Sequence, residues 1–274
     1  MQNTVIPSTK LNNGKEMPLL GLGVYDMYQK QAEQAVETAI EIGYRLIDTA
    51  SMYENEREIG NAIKNSGIKR EDIFITTKLN NTDHGYEQAL KAFDKSLSLL
   101  QQDYVDLYLI HWPIKEGREA SWKAVEKIYA QGKAKSIGVA NYTLPFLQEL
   151  EKYSTITPAV NQIEFTPWLF DKKTFEYGKR KGIQLQSYSP ITRGIKFSDE
   201  RLKELTDKYQ KTPAQIILNW NLQLGVSTIP KSSQESRLRE NYEAANFSLV
   251  AKDVELMNTF NEDFRICDDP IIFL

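Results

Sequence analysis

Cysteine and histidine are nearly absent from this chain. One cysteine, Cys267, and two histidines, His84 and His111, occur among 274 residues. A single thiol excludes a disulfide framework within the chain and fits a reducing compartment. With no second cysteine and no H-E-x-x-H pattern, nothing points to a zinc site of the common kinds, and no metal is expected. No apolar run approaches the length needed to span a bilayer. The opening MQNTVIPSTK has no apolar core of leader length. Neither sign of charge dominates, since 34 Lys+Arg stand against 37 Asp+Glu for a net charge of −3. Nucleic acid and membrane surfaces are therefore not expected as partners. The expectation is a cytoplasmic, globular, monomeric protein.

What is present is alternation. Short apolar or β-branched runs occur at Leu19–Gly21, Arg45–Asp48, Phe74–Lys78, Val105–His111, Ser136–Ala140, Val160–Glu164, Gln184–Tyr188 and Ser227–Pro230. Amphipathic stretches lie between them. In QAEQAVETAIEIG, Ala32, Ala35, Val36, Ala39 and Ile40 share one helical face, and Gly43 supplies the stop. GYEQALKAFDKSLSLL sets Leu90, Phe93, Leu97 and Leu100 in register. Eight strand–helix units in a chain of this length predict an α/β fold, a (β/α)8 TIM barrel spanning residues 1–274 as one domain. STKLNNGKEM predicts an N-terminal β-hairpin turning at Asn12–Gly14, outside the eight units and closing the barrel bottom. The residues from Phe247 form an extra C-terminal segment. Gly21 and Gly23 in GLGVYD begin like a dinucleotide fingerprint, but Asp26 stands where its third glycine belongs. The two glycines are expected instead to allow close backbone approach at the barrel mouth.

In such a barrel, chemistry gathers at the C-terminal strand ends. Asp48 ends the second run, Lys78 the third and His111 the fourth. Asn141 follows the fifth, Gln162 and Glu164 lie in the sixth, Tyr188 ends the seventh and Lys231 follows the eighth. Taken singly, each has an ordinary explanation: a turn aspartate, a snorkelling lysine, a structural histidine, and in Tyr53 a half-buried loop phenol. Taken together they suit one task. A phenol is a weak acid at neutral pH, and a nearby Lys78 ammonium is expected to pull its pKa down. Asp48 would keep Lys78 charged, and His111 could donate to a substrate oxygen. Reduction of a carbonyl needs such a donor, because its oxygen takes a proton as hydride reaches carbon. A Schiff-base role for Lys78 is the competing reading; it requires an unpaired neutral amine, and Asp48 argues against that.

The stretches GYRLIDTASMYENEREIG, KL at Lys78, VDLYLIHWP, KSIGVANY, NQIEF, SYSP and IPKSSQESRLREN, in this order, make the chain resemble the aldo-keto reductase family over essentially its whole length. The resemblance implies a catalytic tetrad of Asp48, Tyr53, Lys78 and His111, with Tyr53 as general acid. It implies NADPH lying extended across the barrel mouth, touching Gly23, Val24, Asp48, Asn141, Gln162, Tyr188, Ser189, Ile191, Lys231, Ser232, Arg237, Glu240 and Asn241. Tyr188 would stack on the nicotinamide, Asn141 and Gln162 would hold its carboxamide, and Glu240 and Asn241 would face the adenine. IPKSSQESRLREN has its own logic, since a helix start capped by Ser232 or Ser233, with Lys231 and Arg237 nearby, suits a 2′-phosphate. A solvated charged turn is the plainer alternative there. A non-catalytic NADPH-binding subunit is a further alternative, which an intact tetrad disfavours.

Three positions depart from the family's common pattern: Ala140 for Ser, Asn80 for Trp and Val24 for Thr. PIKEGREAS and the tail from Phe264 are short, so a shallow, open pocket bounded by Tyr25, Tyr53, Asn80, His111 and Trp112 is expected. With these features the chain looks most like the family's bacterial small-carbonyl, diketogluconate reductase-like branch, a resemblance that implies simple aldehydes, methylglyoxal-like dicarbonyls and keto sugars as substrates.

Overall fold

The computed structural model of the chain describes residues 4–274; residues 1–3, the start of the stretch read for a leader, lie outside it. No helix among the described residues is long and apolar enough to cross a membrane. A short antiparallel hairpin comes first, β1 (Ser8–Lys10) and β2 (Glu16–Pro18), with Thr9 opposite Met17. Its turn falls at residues 12–14, as the sequence predicts, closed by the Gly14 N–H on the Leu11 carbonyl at 2.8 Å. Eight parallel strands follow: β3 (Leu22–Gly23), β4 (Leu46–Asp48), β5 (Phe74–Leu79), β6 (Val105–Ile110), β7 (Ala134–Ala140), β8 (Val160–Glu164), β9 (Gln184–Tyr188) and β10 (Ser227–Thr228). They pair in sequence order, and bridges from Leu20 to Thr228 and from Gly23 to Lys231 join the last strand to the first. The fold is the expected (β/α)8 barrel.

The first barrel strand sits later than the run Leu19–Gly21 suggests. Leu19 belongs to the hairpin's exit, its N–H bonding the Pro7 carbonyl, while the ladder to β4 starts at Leu22 opposite Ile47. The two glycines also serve the barrel itself. A Cβ on Gly21 would meet the Leu46 side chain at 2.2 Å, and one on Gly23 would meet the Ile229 carbonyl oxygen at 2.8 Å. Their smallness lets the barrel's own strands close together.

Helices cover the outside. α1 (Gln29–Ile42) buries Ala32, Ala35, Val36, Ala39 and Ile40, the face read from the sequence. It stops at Gly43, whose φ of 125° a side chain would oppose. α2 (Glu56–Asn65), α3 (Tyr86–Leu100), α4 (Arg118–Ala130), α5 (Leu144–Leu150), α6 (Lys172–Lys181), α7 (Glu200–Tyr209), α8 (Pro213–Gln223), α9 (Glu235–Tyr242) and α10 (Ala251–Met257) follow. In α3, Phe93, Leu97 and Leu100 are buried and Leu90 is partly so. A last turn of 3-10 helix, Pro270–Phe273, ends the chain.

Along a strand, successive side chains alternate faces. One set points inward: Leu46, Phe74, Leu107, Leu109, Ala140, Val160 and Ile229 pack together inside the barrel, with Leu11 and Met17 of the hairpin beneath them. Asn12 and Asn13 donate to the Pro158 and Lys135 carbonyls at the starts of neighbouring strands, which fixes the hairpin as the floor. Continuing the same period of two, Leu46 leads to Asp48, Phe74 to Lys78, Leu109 to His111 and Val160 to Gln162 and Glu164. The inward positions are therefore apolar at the bottom of the barrel and polar at its top.

Candidate active site

At the top of the barrel the Lys78 Nζ donates to Asp48 Oδ1 at 2.5 Å and to the Thr49 carbonyl at 2.9 Å. Both side chains are essentially out of solvent, Lys78 at 0% and Asp48 at 2%. Burial pushes the Asp48 carboxyl up and the Lys78 ammonium down, and each is drawn back by the other. The second oxygen of Asp48 accepts from Gln162 Nε2 at 2.7 Å. The other amide hydrogen of Gln162 goes to Gln186 Oε1 at 2.7 Å.

Tyr53 comes from a different kind of element, a single 3-10 turn, Ser51–Tyr53, beyond β4. Ser51 Oγ donates to the Lys78 carbonyl at 2.9 Å and ties that turn to β5. The Lys78 Nζ then lies 5.1 Å from the centre of the Tyr53 ring. The His111 ring meets Tyr53 edge-on at 5.6 Å, and Tyr25 does so from the other side at 5.2 Å. Asp48, Tyr53, Lys78 and His111, remote in sequence, thus form one cluster. Its electrostatics differ from the expectation in one respect. The Tyr53 phenol is held well above its ordinary range, first by burial, then by the charges of Asp48, Cys267 and Tyr25. Burial outweighs the pull of the Lys78 ammonium, which Asp48 already pairs. His111 is held well below its usual range by burial and by Lys78, so its imidazole is neutral.

Around this cluster lie the other residues read from the sequence. Asn141 adopts a left-handed conformation (φ 65°), donates to the His111 carbonyl at 2.9 Å and accepts from the Tyr188 hydroxyl at 2.7 Å. Ser189 and Thr192 also have positive φ, 47° and 51°. For a β-branched residue this is an outlier, and such strain gathers at functional loops. Ile191 packs against the cluster of Ile163, Phe165 and Trp168. Val24 is buried, and its N–H bonds the Asp48 carbonyl at 3.1 Å. Asn80 follows β5 and is half-buried; Trp112 follows His111 and is half-buried too.

After β10, α9 begins at Glu235 with Gln234 at its cap position, so neither Ser232 nor Ser233 caps it. Ser232 Oγ instead accepts the Gln234 N–H at 3.1 Å and shapes the turn before it. Lys231 and Arg237 are exposed, and among the described residues neither has an acidic partner within ion-pair distance, whereas Arg239 is paired with Glu235. Two unanswered cations beside a helix start fit a phosphate. Glu240 is already engaged, accepting from Thr212 Oγ1 at 2.5 Å, and Asn241 is buried.

Three residues escaped the sequence reading. Asn55 is fully buried, donates to the Val24 and Met27 carbonyls and accepts from Thr49 Oγ1 at 2.6 Å, so it holds the β3 loop beside Tyr53. Its place within YENE was the available signal. Cys267 lies near Tyr188 and Ser189, and burial holds its thiol above the usual range. Its segment is anchored by Glu164, whose carboxylate accepts the Ile266 and Cys267 N–H groups at 2.6 and 3.0 Å. Arg118 ties the end of the chain to the loop after β6. The tail is therefore anchored beside the mouth, at Glu164 and at the loop that follows His111. No sequence period announces a contact between residue 164 and residue 267.

Comparison with known proteins agrees with this architecture. The family model described as Aldo/keto reductase family matches residues 19–262. Glyoxal reductase of Bacillus subtilis (strain 168) is 46% identical over 98% of each chain. Methylglyoxal reductase DkgA of Yersinia pestis is 41% identical, again over 98% of each. Among solved structures, an aldo/keto reductase from Brucella melitensis superposes with a TM-score of 0.90 at 43% identity, covering 93% of this chain and 100% of the other. A Bombyx mori aldo-keto reductase in complex with NADP gives a TM-score of 0.90 at 33% identity, covering 96% and 95%. A family match of this extent, on an eight-stranded barrel with such close relatives, leaves one conclusion: the chain belongs to the aldo-keto reductase family and is an oxidoreductase.

Proposed function

We propose that the protein reduces small aldehydes and ketones to alcohols with NADPH as cofactor and Tyr53 as the proton donor. The convergence of Tyr53, His111 and the buried Lys78–Asp48 pair at one end of the barrel interior carries this reading. NADPH, when bound, supplies the hydride. The protein's own residues handle the proton. Burial keeps the Tyr53 phenol protonated at neutral pH, so the donor is loaded. Tyr53 gives its proton to the carbonyl oxygen as that oxygen gains negative charge. The ammonium of Lys78, close to the Tyr53 ring, limits the energetic penalty of the charge left behind. Neutral His111 orients the carbonyl by donating a hydrogen bond and does not compete for the proton.

The relatives named for glyoxal and methylglyoxal support small dicarbonyls as the substrate class, and the NADP-bound relative supports the cofactor. The test is a panel of carbonyls assayed by loss of reduced-nicotinamide absorbance: methylglyoxal, glyceraldehyde, an aromatic aldehyde, a keto acid and a keto sugar. Methylglyoxal and glyceraldehyde should give the highest kcat/KM. Oxidation no faster than a carbonyl-free blank across the whole panel refutes the reading.

For the cofactor, Lys231 and Arg237 can each give the 2′-phosphate a charge-assisted hydrogen bond. Exposure and salt weaken such contacts, so Arg237→Ala is expected to weaken NADPH binding by about tenfold. NADH should lose less. Paired titrations of wild type and variant with both cofactors decide this; an equal loss for NADH and NADPH means that Arg237 does not read the phosphate.

A further inference from the structure

We propose that Arg118 is a positioning residue that sets the outer wall of the carbonyl pocket, by tying the loop that carries Trp112 to the last turn of the chain. The proposal rests on the reductase reading above and adds what decides which carbonyls fit.

Arg118 is an unexpected residue where it stands. It is the first residue of α4, at the positive end of the helix dipole, where a cation is unfavourable. It is also buried, at 4% exposure. A guanidinium hidden from water needs its donors satisfied, and here they reach three parts of the chain, the loop after β6, α5 and the last turn. Nη2 donates to the Pro113 carbonyl at 2.7 Å and to the Phe273 carbonyl at 2.8 Å. Nη1 donates to Glu149 at 2.6 Å on α5, and Nε reaches the Ile114 carbonyl at 3.4 Å. The guanidinium also lies 4.8 Å from the centre of the Phe146 ring. Its planar fork is what allows a single side chain to hold these acceptors together.

Two of those acceptors matter for the pocket. Pro113 and Ile114 directly follow Trp112, which itself follows His111, and the Ile114 N–H closes on the Trp112 carbonyl at 2.8 Å. At the other end, the Trp112 and Phe273 rings meet at 5.7 Å. Among the described residues, the bond from Arg118 to Phe273 is the one hydrogen bond that joins Pro270–Leu274 to anything beyond their own turn and its Asp269 cap. The aromatic wall made by Trp112 and Phe273 is therefore held in place through Arg118. The four residues of the central cluster sit on strand ends and a turn stitched to β5, and none of them touches Arg118. Loss of Arg118 should loosen the wall and leave the chemistry intact.

The experiment compares Arg118→Gln, Phe273→Ala and the double variant, each in the full chain with NADPH. With an aromatic aldehyde, KM is expected to rise by about tenfold in either single variant. The Arg118→Gln kcat with methylglyoxal should stay within about twofold of wild type. The double variant should be no worse than the worse single, since both changes remove one wall. Hydrogen exchange at residues 271–274 should accelerate in Arg118→Gln. Additive KM effects, an unchanged aromatic KM, or unchanged exchange at the tail would each overturn the proposal. If Arg118→Gln fails to fold, Arg118→Lys, which keeps the charge but loses the planar fork, decides by the same readouts: a raised aromatic KM and faster tail exchange support the proposal, and the absence of both overturns it. If wild type reduces none of the carbonyls tested, the reductase reading fails separately. Tail exchange in Arg118→Gln then still decides whether Arg118 holds the last turn.

Discussion

Replacing Tyr53 with phenylalanine is expected to lower kcat by about 10²–10⁴-fold, the usual worth of a positioned general acid. The substitution removes one hydroxyl and leaves the ring contacts with Tyr25 and His111 in place. NADPH affinity should not change, because the phenol addresses the substrate oxygen. Single-turnover rates at saturating NADPH, with a separate cofactor titration, make the measurement. A variant that keeps more than about a third of kcat where chemistry is rate-limiting would remove Tyr53 from the role of acid. The pH dependence adds an independent check. A general acid is lost as pH rises through its pKa, and burial holds the Tyr53 phenol well above its ordinary range. The wild-type rate of reduction should therefore hold level past neutrality and fall only at pH values above an ordinary phenol's pKa of about 10. A fall near pH 8, well short of about 10, would mean that Lys78 dominates the phenol after all.

Lys78→Met is expected to damage both stability and rate. Methionine matches the length of the lysine stem but strips Asp48 of its partner in a site closed to water. Breaking a buried pair from one side typically costs about 3–5 kcal/mol, because a charge is left without an answer. Only the Gln162 amide would still donate to Asp48. The sign of the pH dependence follows. In the variant the Asp48 carboxyl rises further above its unfolded value, so the folded state binds more protons than the unfolded one. Stability then falls as pH rises from the unfolded carboxyl range through the folded pKa. The deficit against wild type should be largest at neutral pH and shrink on acidification. Urea unfolding at several pH values reads this directly. Adding Asp48→Asn to Lys78→Met should restore part of the stability, since no carboxylate remains to be buried unpaired. A double variant no more stable than Lys78→Met would show that the pair's geometry, not the stranded charge, set the loss. For the rate, removing the cation beside Tyr53 should cost about 10²–10³-fold in kcat, comparable to losing one preorganised donor to developing charge.

Much of this was legible in the chain. The inner face of α1 and its stop at Gly43 followed from spacing alone, as did the hairpin turn at residues 12–14. So did the run of polar residues at inward positions of successive strands, from Asp48 to Tyr188. These features are governed by residues a few positions apart, through helical pitch, strand alternation and turn chemistry, and a sequence displays such relations openly.

What the chain alone could not decide was set by residues that meet only after closure. Leu46 and the Ile229 carbonyl press on Gly21 and Gly23 across the barrel seam, a demand for smallness that no short-range pattern displays. The Tyr53 phenol is raised rather than lowered, because desolvation outweighs the pull of Lys78, which is paired with Asp48. The tail is anchored beside the mouth because the Glu164 carboxylate and the Arg118 guanidinium find its backbone, 103 and 155 positions away. Burial and Coulomb interaction depend on distance in space and on the water excluded there. Neither quantity exists for these pairs until the eight strands have closed.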